Sequence, residues 1–411
     1  MARDSAATDW LIAIRAPQLG ARRLRAALSK HGDIATLRAV ARRRQSGLPE
    51  VTESYLSQPD EAQLAADLAW LAESSHHLIH CKDDWFPAML AQAKDAPAAL
   101  FVVGDPAVLW QPQIAMVGSR KASPQGMQIA ADFATELCRR GFTITSGMAV
   151  GIDASAHRAA LAAGAATVAV LGTGPDLYYP AQHQELAQAI AAQGALVSEW
   201  PPGTKAHSGH FPARNRVISG LALGVLVVEA SLRSGSLITA RQAAEQGREV
   251  MAVPGPVYHA QSQGCHQLIR EGAKLVANVQ QVIEDVQPLA GRLAHELQRA
   301  LDDENTSPVL ESGQARPQVR HSQVHLSAAA KAAAESSTSN HAAGPDLSDL
   351  DADYLSLLQA LGAGPLVVDD IVEATNLTPE AVSSMLLILE LRGLVVCHGG
   401  ANWSRHHEIV I

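Results

Sequence analysis

Three stretches of the chain gather side chains that can grip an anion. "IAMVGSRKASPQG" (114–126) places Arg120 and Lys121 beside Gly118 and Ser119. "EWPPGTKAHSGHFPARNRVISG" (199–220) brings Lys205, His207, His210, Arg214, Asn215 and Arg216 around the ring of Phe211. "VVEASLRSGSLITA" (227–240) holds Arg233, Ser234, Gly235 and Ser236. Guanidinium and ammonium groups pair with phosphate oxygens, and an aromatic ring among them offers a face to an unstacked base. Two Gly/Ser helix starts, each with an arginine, suit an extended polyanion better than one isolated phosphate. In the first stretch Ser123-Pro124 is an N-cap and first-turn pair, so loop 118–121 lies at a helix N-terminus, where free N–H groups favour an anion. It is neither a Walker loop nor a GxGxxG fingerprint. A phosphate seat and a tight turn with solvated charges both fit that pattern. Ser234 and Ser236 can likewise cap a helix or bind an anion. Helical positions i and i+2 point about 200° apart, so Arg214 and Arg216 cannot both face one ligand. One of them is expected to pair internally with Glu199 or Glu229. In "SGMAVGIDASAHRAAL" (146–161), Gly147 belongs to a small-residue loop and Asp153 is placed to cap the next helix.

These loops need a frame that presents them together. From about residue 98 to 285 apolar runs ("ALFVVGD", "QIAMVGS", "FTITSG", "ATVAVLG", "ALVSEW", "GVLVVEA", "REVMAVPG") alternate with amphipathic stretches, several closed by glycine. That alternation specifies an α/β domain with a mainly parallel sheet, whose ligands bind beyond the C-terminal strand ends. Residues 1–75 read as a small helical domain, and "PQLGARRLRAALSKHGD" (17–33) sets a glycine turn before a cationic helix. A solvated basic face is the preferred reading there, with a phosphate-binding helix-hairpin-helix the sharper one. Residues 76–287 form the sheet domain. Residues 288–346, rich in Ala, Ser and His, read as a disordered linker. Residues 347–411 read as three short helices and a hairpin, the order of a winged helix. Its third helix, 379–392, exposes almost no positive charge apart from Arg392, which disfavours DNA reading by that helix.

The chain has 411 residues, 47% hydrophobic, with a net charge of −9. Such a charge excludes a broadly basic nucleic-acid coat and requires any basic groove to be local. The four cysteines stand apart without CxxC spacing, which indicates neither a zinc site nor a disulfide framework and suits a reducing compartment. No leader and no membrane span is read, so a cytoplasmic location is expected. No cofactor is expected. An alternative is a Rossmann-like enzyme that cleaves a nucleotide with a carboxylate as general acid/base; Glu199 and Glu229 are the strand-end carboxylates it would use.

The blocks "MVGSRKASPQG", "SGMAVGIDASAHRAAL", "VAVLGTG", "YYP", "FPARNRVISG", "VVEASLRSGSLITA" and "VPGPVYHAQSQGCHQLIREGAKLV", in this order, resemble the DNA processing protein A family (DprA, also called Smf) over about residues 80–285. The flanks resemble it more loosely, as a sterile-alpha-motif-like module and a winged helix. The resemblance implies an extended Rossmann-like domain that binds single-stranded DNA without catalysis, as a homodimer. It further implies protection of incoming strands and loading of the RecA recombinase on them in natural transformation. Carried onto this sequence, Arg120, Phe211, Arg214 and Asn215 are the first DNA-contact candidates. Gly118, Ser119, Lys121, Gly147, Ser234, Gly235 and Ser236 follow. The chain departs from the family pattern at Val150, where an arginine is usual, and at His183 and His266, where asparagine is usual.

Overall fold

In the computed structural model, the structure describes residues 2–291, 352–361, 366–375, 382, 386, 389, 395–397 and 402–405. Two compact units divide the chain, Met1–Ser322 and Gln323–Ile411.

The first unit opens with five helices: α1 (Ala2–Arg15), α2 (Ala21–His31), α3 (Ile34–Arg42), α4 (Glu50–Ser57) and α5 (Glu61–Leu71). Asp33 and Asp60 cap α3 and α5, each accepting from a backbone N–H three residues on. The apolar faces of the bundle (Trp10, Leu24, Leu28, Leu37, Leu56) share one core with Ala98 and Ala99 of the sheet domain, so the helices pack directly onto it.

The sheet domain follows as β1 (His76–His80), α6 (Ala88–Ala91), β2 (Ala99–Gly104), β3 (Gln113–Val117), α7 (Pro124–Arg139), β4 (Thr143–Ser146), α8 (Ile152–Ala162), β5 (Thr167–Val170), α9 (Gln184–Gln193), β6 (Ala195–Ser198), α10 (His210–Leu221), β7 (Gly224–Val227), α11 (Ser236–Glu245), β8 (Glu249–Ala252), α12 (Gln263–Arg270) and β9 (Lys274–Leu275). All seven expected strands are present, joined by β1 and β9 at the two edges. The order is β1-β2-β6-β5-β4-β3-β7-β8-β9. Strands β3 to β9 run parallel, while β2 pairs antiparallel with both β1 and β6.

Period-two alternation divides β3 between two cores. Ala115 and Val117 face α10, α11 and α12, while Ile114 and Met116 face α7 and α8. Helices on both sheet faces explain why the central strands are apolar throughout. From β3 the chain winds outward through β4, β5 and β6 on one side and through β7, β8 and β9 on the other. The topological switch point therefore lies between β3 and β7, where the first and third anion-gripping stretches leave the sheet.

Residues 279–291 are helical, so the described helix runs past the expected domain boundary at 287. From residue 292 the expected linker lies outside the described residues. In the second unit, α13 (Ala352–Ala360), β10 (Leu366–Val367), α14 (Val368–Thr375), β11 (Val395–Cys397) and β12 (Asn402–Arg405) are described, with strand order β10-β12-β11. Leu357, Leu361, Ile371, Val382, Leu386, Leu389 and Val395 form its core. Helical positions 382, 386 and 389 fall on the expected third helix, the rest of which, with Arg392, lies outside the described residues.

Candidate nucleic-acid interface

At the C-terminal edge of the sheet, the 118–123 loop after β3 is tied to its neighbours through its backbone. Ser119 donates its N–H to the Glu229 carbonyl at 2.7 Å, and its own carbonyl accepts from Ile152 N at 3.3 Å. Lys121 N donates to Ser119 Oγ at 3.0 Å, and Ser119 is buried. Gly118 is required by this crowding, because a Cβ there would stand 2.5 Å from the Ile152 side chain. With the backbone fixed, the side chains of Arg120 and Lys121 project outward and are exposed.

Ser123 caps α7 as expected, its Oγ accepting from Gly126 N at 2.9 Å with Pro124 in the first turn. An anion does sit at this helix start, and it is the protein's own. The Glu229 carboxylate accepts from Ser123 N at 2.8 Å and from Ser123 Oγ at 2.6 Å. It fills the space above Gly126, where a Cβ would stand 2.3 Å from the carboxyl carbon. The reading of the α7 N-terminus as a phosphate seat is thereby corrected: the positive helix end is neutralised from within. Through its carbonyl and its carboxylate Glu229 ties the end of β7 to the loop after β3.

The residues of the second stretch divide by exposure. Arg216 is part-buried and makes a forked pair with Glu199, 2.8 Å from NH1 to Oε2 and 2.6 Å from NH2 to Oε1, with Asp95 beside it. Arg214 is buried as well, which the i, i+2 argument did not foresee. Its NH1 donates to the Gly147 carbonyl at 2.6 Å and to the Val170 carbonyl, and its Nε donates to Asn215 Oδ1 at 3.1 Å. Gly147 is needed beneath it, since a Cβ would meet the guanidinium at 2.7 Å. Burial lowers the Arg214 pKa to about 10, opposed by Asp153, and the group stays charged near neutrality. Asp153 lies inside α8, whose N-cap is Gly151. Its Oδ2 reaches back to accept from Gly147 N at 3.2 Å and Ala149 N at 3.3 Å. Burial pushes the Asp153 carboxyl up, opposed first by Arg214. Arg214, Asp153 and Gly147 thus knit the ends of β4 and β5 to α8 and α10, so the phosphate-facing role assigned to Arg214 becomes a positioning one.

Above this buried layer lies a partly exposed one. Arg120 stacks over Phe211 with its guanidinium carbon 5.9 Å from the ring centroid. Phe211 rests on Gly172, where a Cβ would meet the ring at 2.8 Å. Tyr179, 51% exposed, leans against Phe211 with centroids 5.2 Å apart. On the flank, Trp200 stacks on His210 at 4.5 Å and His210 meets His207 at 5.3 Å. Sequence reasoning missed Tyr179 and Trp200, although Trp200 is an aromatic two residues past the end of β6 and Tyr179 lies in the long loop after β5. Ser234 and Ser236 bond to each other through their hydroxyls at 2.7 Å at the start of α11, beside exposed Gly235 and Arg233. The structure therefore brings Gly118, Ser119, Arg120, Lys121, Gly147, Phe211, Arg214 and Asn215 into one site. It leaves the 234–236 group in the adjoining loop, among the described residues without a side-chain hydrogen bond to that site. No group of three or more His, Cys, Asp or Glu among the described residues is placed to hold a metal ion, and no described helix is long and apolar enough to cross a membrane.

This arrangement is similar to known proteins. The family model described as DNA recombination-mediator protein A matches residues 77–287, and one described as DprA winged helix domain matches 341–401. Protein Smf of Escherichia coli is 46% identical over 245 residues, 59% of this chain and 65% of its own length. The X-ray structure of DNA processing protein A from Streptococcus pneumoniae superposes with a TM-score of 0.62 at 37% identity, covering 68% of this chain and 97% of its own. A structure of DNA processing protein A from Helicobacter pylori, whose subject is its single-stranded DNA binding mode, is 30% identical and covers 50% of this chain and 94% of its own at a TM-score of 0.46. Since the first family model spans half of its residues, the chain belongs to the DNA recombination-mediator protein A family.

Proposed function

We propose that this protein binds single-stranded DNA along the C-terminal edge of its Rossmann-like sheet and, as a homodimer in the cytoplasm, protects incoming strands and helps load a RecA-type recombinase on them during natural transformation. The observation that carries this reading is the stack of exposed Arg120 and Tyr179 on half-buried Phe211, with exposed Lys121 beside it. Cations and aromatic faces together suit a strand whose phosphates are paired while its bases stack. Their anchoring in buried glycines and arginines supplies the rigidity that such a platform needs. Membership in a family named for recombination mediation supports the same reading. For the dimer, support comes from the outer strand β9 and the loop after β8, which expose Leu275 at 50%, Val257 at 68% and Tyr258 at 100%.

The protein acts in this reading without chemistry of its own. A nucleotide-cleaving enzyme on this fold would seat its substrate at the switch point, where Glu229 instead binds Ser123.

Fluorescence anisotropy with labelled single-stranded and duplex oligonucleotides across a salt series tests the proposal, with free mononucleotides as competitors. Single strands are expected to bind more tightly than duplex, with log K falling by about 0.7 per phosphate neutralised for each decade of salt. Arg120→Ala should lose about 1–3 kcal/mol of affinity at an unchanged thermal midpoint. Unchanged affinity in Arg120→Ala, or turnover of a mononucleotide, would overturn it.

A further inference from the structure

The strand-end site leaves one cationic feature of the sequence unused, the arginine-rich helix after the glycine turn. On α2, Arg23, Ala26, Ala27 and Lys30 fall at i, i+3, i+4 and i+7, on one face of the helix. Together with the turn at 46–49 they line a groove of about 600 Å³. Alanines form its floor and cations stand at its two ends, about 10 Å apart along the helix. Arg22 is exposed on α2, and Arg42 and Arg43 are exposed at the C-terminal end of α3.

Five acidic residues of the bundle are turned to internal tasks. Asp9 pairs with Arg38, Asp67 pairs with Arg15, Glu53 accepts from Ser46, and Asp33 and Asp60 cap helices. Of the triple arginine 42–44, Arg44 alone meets a carboxylate, Glu50 at 2.7 Å. Arg22, Arg23, Lys30, Arg42 and Arg43 have no ion pair among the described residues. In a chain of net charge −9 this is a second local concentration of unmatched positive charge.

Its position relates it to the first. Arg25 of α2 donates to the Ala96 carbonyl at 3.2 Å, and Arg15 of α1 donates to the Pro202 carbonyl at 2.7 Å. Ala96 precedes β2, whose first residues lie beside the C-terminal end of β6, and Pro202 lies in the loop that carries Lys205 and His207. The helical bundle is thus docked at the sheet edge that carries Arg120 and Phe211. Arg25, two positions from Arg23, lies on the face of α2 turned to the sheet domain and the groove on the opposite face, which a strand reaches by passing around α2.

We infer that the α2 groove binds backbone phosphates of the same nucleic-acid strand that the strand-end site holds, extending the path onto the helical bundle. This rests on the single-strand reading proposed above, and the test separates the two. Anisotropy is measured with oligothymidylates of about 8 and about 30 nucleotides, short and long relative to a typical single-strand site. The proteins are the full chain, Arg23→Gln/Lys30→Gln and Arg120→Ala. The double variant is expected to lose about tenfold in affinity for the long strand and less than twofold for the short one, at an unchanged thermal midpoint. Its salt slope on the long strand should fall by about 1.4, two contacts at 0.7 each. Arg120→Ala should weaken both lengths. An unchanged long-strand affinity in the double variant, or an equal loss on both lengths, overturns the α2 groove while the Arg120→Ala result stands. No effect of Arg120→Ala on either length overturns the strand-end site itself.

Discussion

Arg214 and Arg120 carry the same side chain to opposite ends. Arg120 spends its charge on the surface, whereas Arg214 holds the carbonyls that end β4 and β5 and faces buried Asp153. Removing the guanidinium strips the buried Gly147 and Val170 carbonyls of their donor, and a buried polar group left unsatisfied costs about 1–3 kcal/mol. Arg214→Met should therefore lower the urea midpoint strongly, and its DNA affinity should fall only as the folded fraction falls; an unchanged midpoint would return Arg214 to the list of contact residues. Sequence alone showed that one of Arg214 and Arg216 had to be internal, because helical geometry is local. It could not show that both are, since the partners Gly147, Val170 and Glu199 lie 67, 44 and 17 residues away. Ser123 was legible as a cap for the same reason that Glu229 was not legible as the anion: the first bond spans three residues and the second 106.

Among the elements, α8 shows how a helix can report on its surroundings through one titratable group. His157 is buried on it, its Nδ1 2.8 Å from Thr167 Oγ1 and its Nε2 without a hydrogen-bond partner. Burial pulls its pKa from 6.5 down to about 3. Between those values the unfolded chain binds the proton and the folded one does not. Stability is therefore full above pH 6.5 and lost as pH falls toward 3, at up to about 1.4 kcal/mol per pH unit. His157→Gln, which cannot titrate, should close its stability gap to the parent by about 2 kcal/mol between pH 7.5 and 5 in urea titrations. A constant gap would show that His157 is protonated in the fold. The strands of the sheet were legible in proportion to their burial. β3, β5 and β7 are apolar runs covered on both faces, whereas β1 reads His-His-Leu-Ile-His and β9 has two residues, so neither edge carries a periodic signal. Asp153 misled the helix-cap rule, because Gly151 at φ +84° takes the cap position and leaves the carboxylate free to reach back to the loop.

At the scale of the whole molecule, the sheet that presents the proposed DNA edge ends, among the described residues, at β9. A strand edge with exposed apolar side chains is a template for another chain unless something covers it. Here Lys274 is held by Glu249 at 3.2 Å and Asp285 at 3.0 Å, which leaves Leu275 as the outward residue. In a two-fold dimer the same patch meets itself, so one substitution acts twice. Leu275→Arg would place two like charges face to face across the interface, and since Leu275 is half exposed in the single chain, the fold should survive. Light scattering after gel filtration is expected to show the parent at twice the mass of the variant, with both melting at similar temperatures when diluted. Two strand-end sites in one particle also raise the effective concentration of the second for any strand long enough to span them. Leu275→Arg should therefore keep the affinity of the parent for short oligonucleotides and lose it for long ones. A variant that stays dimeric would move the interface away from β9, and a parent that is monomeric at micromolar concentration would remove the dimer from the proposed function while leaving the Arg120–Phe211 platform intact.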